Sequence, residues 1–183
     1  MAYQQLTDQQ VKEGFDKQLT SMLAYKPQHG SEAIALGRTA GLAKQMGCDA
    51  TADALWNKLL LLGPKDPKAP AVLRLPSLNE LYAGFQANAA SGAFDRVASA
   101  GEYYATSGLA FSNAMGSLAH MIDYLRRKDV ALAGGEVFRI MEVGPAALRA
   151  MGFHEQAKVC EELGNNNSWA VEANRSSATE VRL

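Results

Sequence analysis

A chain of 183 residues, 48% hydrophobic and 20% charged, matches one globular domain able to bury a core, which excludes collagen, coiled-coil rods and wholly disordered chains. Eighteen basic residues against nineteen acidic ones leave a formal net charge of −1, so no overall field draws nucleic acid, anionic lipid or basic partners. Met1 to Gln10 lacks the basic segment and apolar run of a secretory signal, and the longest aliphatic run, Leu59 to Leu62, is too short for a bilayer.

Ala, Leu, Met, Gln, Glu and Lys dominate the periodic stretches while β-branched residues are dispersed, which predicts an all-α, single compact multi-helix domain of about seven to nine helices in αα-hairpins. Thr7 is placed to cap a helix over about 8–25, in which Val11, Phe15, Leu19, Met22 and Leu23 recur at three- and four-residue steps before Tyr25-Lys26-Pro27. After the turn-like Gln28-His29-Gly30, Ser31 is placed to cap a second helix through Ile34, Leu36 and Leu42 to Met46. Asp49 is placed to cap a third, containing Leu55, Leu59 and Leu62, and the short Gly47-Cys48-Asp49 link makes the two an antiparallel pair.

Residues 63–76 hold four prolines, which forbid a continuous helix and favour extended backbone before each ring. This proline-rich connector reads as a stiff crossover between helical layers, with a lid or partner-binding strap as the alternative. Ser77 and Glu80 then form a capping-box pattern that opens a fourth helix. Between Ala93 and Lys128 two helices are expected to break near Ser107-Gly108, the second running through Phe111, Met115, Leu118, Met121, Ile122 and Leu125 to Arg126-Arg127-Lys128. Asp129 is placed to cap another with Val137, Ile140 and Met141; Gly144-Pro145 restarts a short helix to Met151, and Gly152 leads into a last one ending at Leu163-Gly164. The helical domain thus covers 1–164. A polar C-terminal arm, 165–183, carries only Trp169, Val171, Val181 and Leu183 as apolar anchors and is expected to order by docking onto a neighbour or back onto the domain.

Lys44-Gln-Met-Gly47 with Ala52 is echoed 105 residues later by Arg149-Ala-Met-Gly152 with Ala157, and both read as tight helix-turn-helix corners. A small alanine after a glycine corner also occurs in tetratricopeptide-type hairpins. That family's aromatic, Leu, Gly and aromatic positions are taken here by Leu36, Thr39, Ala40 and Ala43, and at the second corner by Met141, Gly144, Pro145 and Leu148, so the chain does not follow its pattern. Gly108, Ser112 and Gly116, with Gly37 and Gly41 in another helix, form lines of small residues that let helices approach closely, inside the domain or between subunits.

Chemistry-bearing residues are sparse. His29 lies in a polar turn and His154, beside Glu155, opens the last helix. His120 is placed by helical steps beside Asp123 and Tyr124, where a carboxylate could orient the imidazole for acid–base work, although the set contains no nucleophile. No His-Glu-x-x-His, no Glu-x-x-His pair and no glycine-rich phosphate cradle occurs, so neither a metal nor a nucleotide cofactor is expected. Cys48 and Cys160 lack partners at zinc-knuckle spacing and read as reduced packing residues, the latter beside Glu161 and Glu162, which oppose a thiolate. Arg126, Arg127 and Lys128 suit the negative end of a helix dipole; a nucleic-acid contact would need further basic residues and stacking aromatics. Tyr103, Tyr104 and Trp169 are candidate interface anchors.

The resulting expectation is a non-enzymatic protein that binds other proteins as a homo- or hetero-oligomer subunit of a larger assembly, with no membrane contact and no nucleic acid, and with any small-molecule ligand left open. It would reside in the cytoplasm or in an assembled particle. Small helical virion proteins at the head–tail junction are similar in this body-plus-arm form, a likeness of shape without a shared motif. The alternative is a helical-bundle enzyme or small-molecule binder centred on His120, Asp123 and Tyr124.

Overall fold

The computed structural model describes residues 5–24, 30–61, 75–92, 110–126 and 138–166, and among these the chain is all-α, with helices and no strand. Seven α-helices run α1 (Asp8–Thr20), α2 (Gly30–Gln45), α3 (Asp49–Leu60), α4 (Leu78–Ala90), α5 (Ala110–Arg126), α6 (Gly144–Ala150) and α7 (His154–Asn166). A 3-10 turn, Ser21–Leu23, follows α1, and a π-helical turn, Arg139–Val143, leads into α6.

Two helix starts form as their sequences dictate. The Thr7 hydroxyl accepts the Gln10 backbone N–H while the Gln10 side chain accepts the Thr7 N–H, and Ser77 and Glu80 make the same reciprocal pair at α4. Elsewhere the boundaries differ from the sequence reading. Helix α2 already begins at Gly30, so Ser31 lies inside its first turn rather than capping it. Cys48, not Asp49, is the N-cap of α3, without a side-chain bond. Asp49 instead sits in the first turn, where its carboxylate meets the Lys44 ammonium at 2.8 Å and the positive end of the helix dipole. Helix α7 continues two residues past Gly164 to Asn166, since one glycine costs about 1 kcal/mol and does not by itself stop a helix.

Gly144-Pro145 does not restart the chain. Backbone at Phe138, Val143 and Gly144 is right-handed helical, so the π turn and α6 are one continuous rod. Proline lacks an N–H and its ring crowds the carbonyl four residues back. The wider π turn, closed by the Gly144 N–H on the Arg139 carbonyl, fits that demand.

The core is laid along α5, which packs along α2 on one side and against the π turn and α6 on another. Phe111, Met115, Leu118, Met121 and Ile122 are fully buried there, together with Leu36 of α2 and Leu148 of α6. The small-residue lines work inside the domain. A Cβ on Gly37 would overlap both the Ala119 methyl and the Met115 carbonyl, and one on Gly41 would come to 3.0 Å from Ser112 Cα. The Ser112 hydroxyl donates to the Arg38 carbonyl at 2.9 Å, stitching the close crossing of α2 and α5. Gly108 lies outside the described residues.

The two corners 105 residues apart share one geometry. Gly47 has φ 75° and Gly152 φ 86°, in the left-handed region that glycine enters without a Cβ penalty. Gly47 N–H bonds Lys44 O at 3.1 Å and Cys48 N–H bonds Ala43 O at 2.9 Å; Gly152 N–H bonds Arg149 O at 2.9 Å and Phe153 N–H bonds Leu148 O at 2.8 Å. Both are Schellman closures, and the following alanines, Ala52 and Ala157, are wholly buried.

Helix α4 touches both corners. Its Asn79 accepts from the Lys44 ammonium, which also stands 5.9 Å from the Tyr82 ring centroid. Further along, a Cβ on Gly84 would overlap the Met151 carbonyl and Asn88 reaches Gly152. Between these points Tyr82 and Phe85 pack on Phe111, with ring centroids at 5.0 and 5.3 Å.

Candidate functional site

Among the described residues, three features carry chemistry or exposed apolar surface: the His120 group, a cavity beside it, and the outer half of α1.

His120, Asp123 and Tyr124 are all buried on α5. The spacing that suggested them does bring them onto neighbouring faces of one helix, but inside the protein rather than on an exposed surface. Burial pushes the Tyr124 hydroxyl from its ordinary 10.0 up to about 12, so it is a proton donor and not a base at neutral pH. A substrate would reach this group only if a covering element moved aside.

The cavity, about 250 Å³, lies between three elements. Helix α2 gives it Ile34 and Arg38, and α5 gives it Asn113 and Ser117. The π turn and the residue before it give Phe138, Arg139 and Val143. Helical register puts Asn113, Ser117 and His120 on one face of α5, with His120 a turn beyond the residues that line the cavity. The stem of Arg38 crosses α5 at Gly116, where an added Cβ would stand 2.6 Å from Arg38 Cγ. Gly144 lets the π turn approach α5, an added Cβ there meeting Met121 Cβ at 3.2 Å. Neither arginine draws attention in the sequence; only the fold brings them to one concavity.

Helix α1 lies along α3 at its C-terminal end. Asp16 accepts from the Thr51 hydroxyl, and the Lys58 ammonium donates to the Leu23 carbonyl beyond it. Its apolar stripe emerges from the core toward the other end: Leu19 is 8% exposed, Phe15 half-buried and Val11 46% exposed, and Leu6, just ahead of the Thr7 cap, is 62% exposed. Lys12 reaches the Gly47 corner, beside which Met46 is also exposed.

Both cysteines are buried and free of disulfide. Burial raises each thiol, Cys160 to about 12 with Glu161 adding repulsion, and Cys48 with the Asp16 carboxylate adding to the effect. Among the described residues no three His, Cys, Asp or Glu side chains converge as metal ligands would, and no helix is long and apolar enough to cross a membrane. Arg126 ends α5, whereas Tyr103, Tyr104, Arg127, Lys128, Trp169 and Leu183 lie outside the described residues. So do most of the 63–76 connector, the helix expected before Gly108, the Asp129 cap and the arm from 167 onward.

No protein-family model matches the chain, and neither a curated protein nor a solved structure does.

Proposed function

We propose that the chain is a non-enzymatic structural subunit that assembles with further copies of itself, and that the outer half of α1 is the contact. The observation behind this reading is the stripe from Leu19 through Phe15 to Val11, which begins in the core and runs out into solvent, with the exposed Leu6 just ahead of the helix. Every residue from 8 to 14 is exposed. A helix of 13 residues is marginal on its own in water, so two turns whose side chains are mostly exposed gain most from a neighbouring surface. A second copy presents the same apolar stripe about a two-fold axis, and a net charge of −1 offers little repulsion against self-association. Within this reading, the narrower assignment to a particle such as a virion, at its head–tail junction, draws on the body-plus-arm form of the sequence.

Light scattering on the full chain across tens of micromolar tests the proposal. Dimers or larger species are expected, converting to monomers in a Leu6→Asp, Val11→Asp variant whose helical circular dichroism is retained. A monomer throughout, or oligomers indifferent to the two substitutions, overturns it.

A further inference from the structure

We propose that the cavity between α2, α5 and the π turn binds a small organic anion, its carboxylate or phosphate held by Arg38 and Arg139 and its apolar part resting on Ile34, Phe138 and Val143.

The lining divides into two kinds of surface. The two arginines and Ser117 bring hydrogen-bond donors to the lining, and no carboxylate is among its described residues. Among the described residues neither Arg38 nor Arg139 forms a side-chain ion pair or hydrogen bond, whereas Lys44 and Arg149 have acidic partners. Both arginines line this one concavity, where an anion would accept from their planar forks. The three apolar side chains complete a mixed lining of the type that fixes small ligands by a few polar contacts.

Size narrows the ligand. At about 250 Å³ the cavity falls below the span of roughly 300–1,000 Å³ typical for drug-sized molecules, which favours a single-ring or short-chain anion.

The backbone that forms the cavity is specialised. Arg139 and Val143 open and close the π turn, a departure from the α-helix that recurs at functional sites. Gly116 lets the Arg38 stem cross α5 toward the cavity. The site is distinct from the α1 surface and does not depend on assembly.

Calorimetric titration of the full chain at low salt tests the proposal, with phenyl phosphate and benzoate as probes and benzyl alcohol and inorganic phosphate as comparisons. At least one of the two aromatic anions should bind. Arg38→Gln and Arg139→Gln should each weaken it about tenfold or more, as expected for loss of a charge-assisted contact, with unchanged circular dichroism. Arg38→Lys should restore part of the loss, because it keeps the charge without the planar fork. Binding of neither anion, equal binding of benzyl alcohol, or equal affinity in the double Gln variant overturns the proposal. Inorganic phosphate binding as tightly as phenyl phosphate overturns its organic half.

Discussion

Gly37 of α2 faces Ala119 of α5 with no room for a methyl group between them. Gly37→Ala should therefore force the two most extensively packed helices apart and destabilise the protein by about 1–3 kcal/mol, the usual cost of overpacking. Gly14 of α1 has nothing within 4 Å of an added Cβ, and Gly14→Ala should leave stability unchanged or raise it by about 0.5–1 kcal/mol through helix propensity. Urea denaturation of the two variants should shift in opposite directions.

Lys44 joins three groups: the Asp49 carboxylate at 2.8 Å, the Asn79 side chain and the Tyr82 ring. Its own side chain is only 11% exposed. Lys44→Met should cost about 1–2 kcal/mol by removing these contacts together. Arg149 occupies the matching place at the other corner, but its pair with Glu161, at 2.5 Å, is 41% and 31% exposed, and Arg149→Met should cost about 0–1 kcal/mol. Thermal melts of both variants in low and high salt measure the difference.

Stability should fall at alkaline pH. Tyr124 rises from 10.0 to about 12 and Cys160 from 9.0 to about 12 on burial, so in each case the unfolded chain loses its proton first. The contribution of Cys160 is complete below pH 9.0 and that of Tyr124 below pH 10.0, and both drain away as pH climbs toward about 12. Tyr124→Phe with Cys160→Ala should flatten the decline in Tm between these limits, even where its Tm at neutral pH is lower. An unchanged slope contradicts the burial of these groups.

The two capping boxes should respond differently to the same substitution. Ser77→Ala strikes a helix whose first turn carries the fully buried Leu78 and Leu81, and should lower global stability by about 1 kcal/mol. Thr7→Ala strikes a helix start with no buried residue nearby, and should fray α1 while leaving the denaturation midpoint almost unchanged. Amide exchange at Gln10 and Val11, read beside the urea midpoint, separates the two effects.

Much of the fold is legible in the sequence because local chemistry decides it. Thr7 and Ser77 each find their partner three residues on, and Gly47 and Gly152 each mark a corner that needs a positive φ. The starts of α2 and α3 are less legible, since Ser31 and Asp49 have the chemistry of a cap yet each lies inside a first turn. The π turn is hidden for another reason. Gly144-Pro145 suggests a break, while the rod absorbs the ring by widening one turn. His120 and Asp123 are visible as a pair but not as buried, because helical spacing fixes neighbours and not what covers them. Arg38 and Arg139 lie about a hundred residues apart, and no local pattern links them.

Helix α4 bears on both glycine corners through contacts a few residues apart, Asn79 and Tyr82 at one and Gly84 and Asn88 at the other. The two hairpins therefore share a clasp. Release of α4 would strip contacts from both turns at once, making one cooperative opening of what the chain order presents as separate halves.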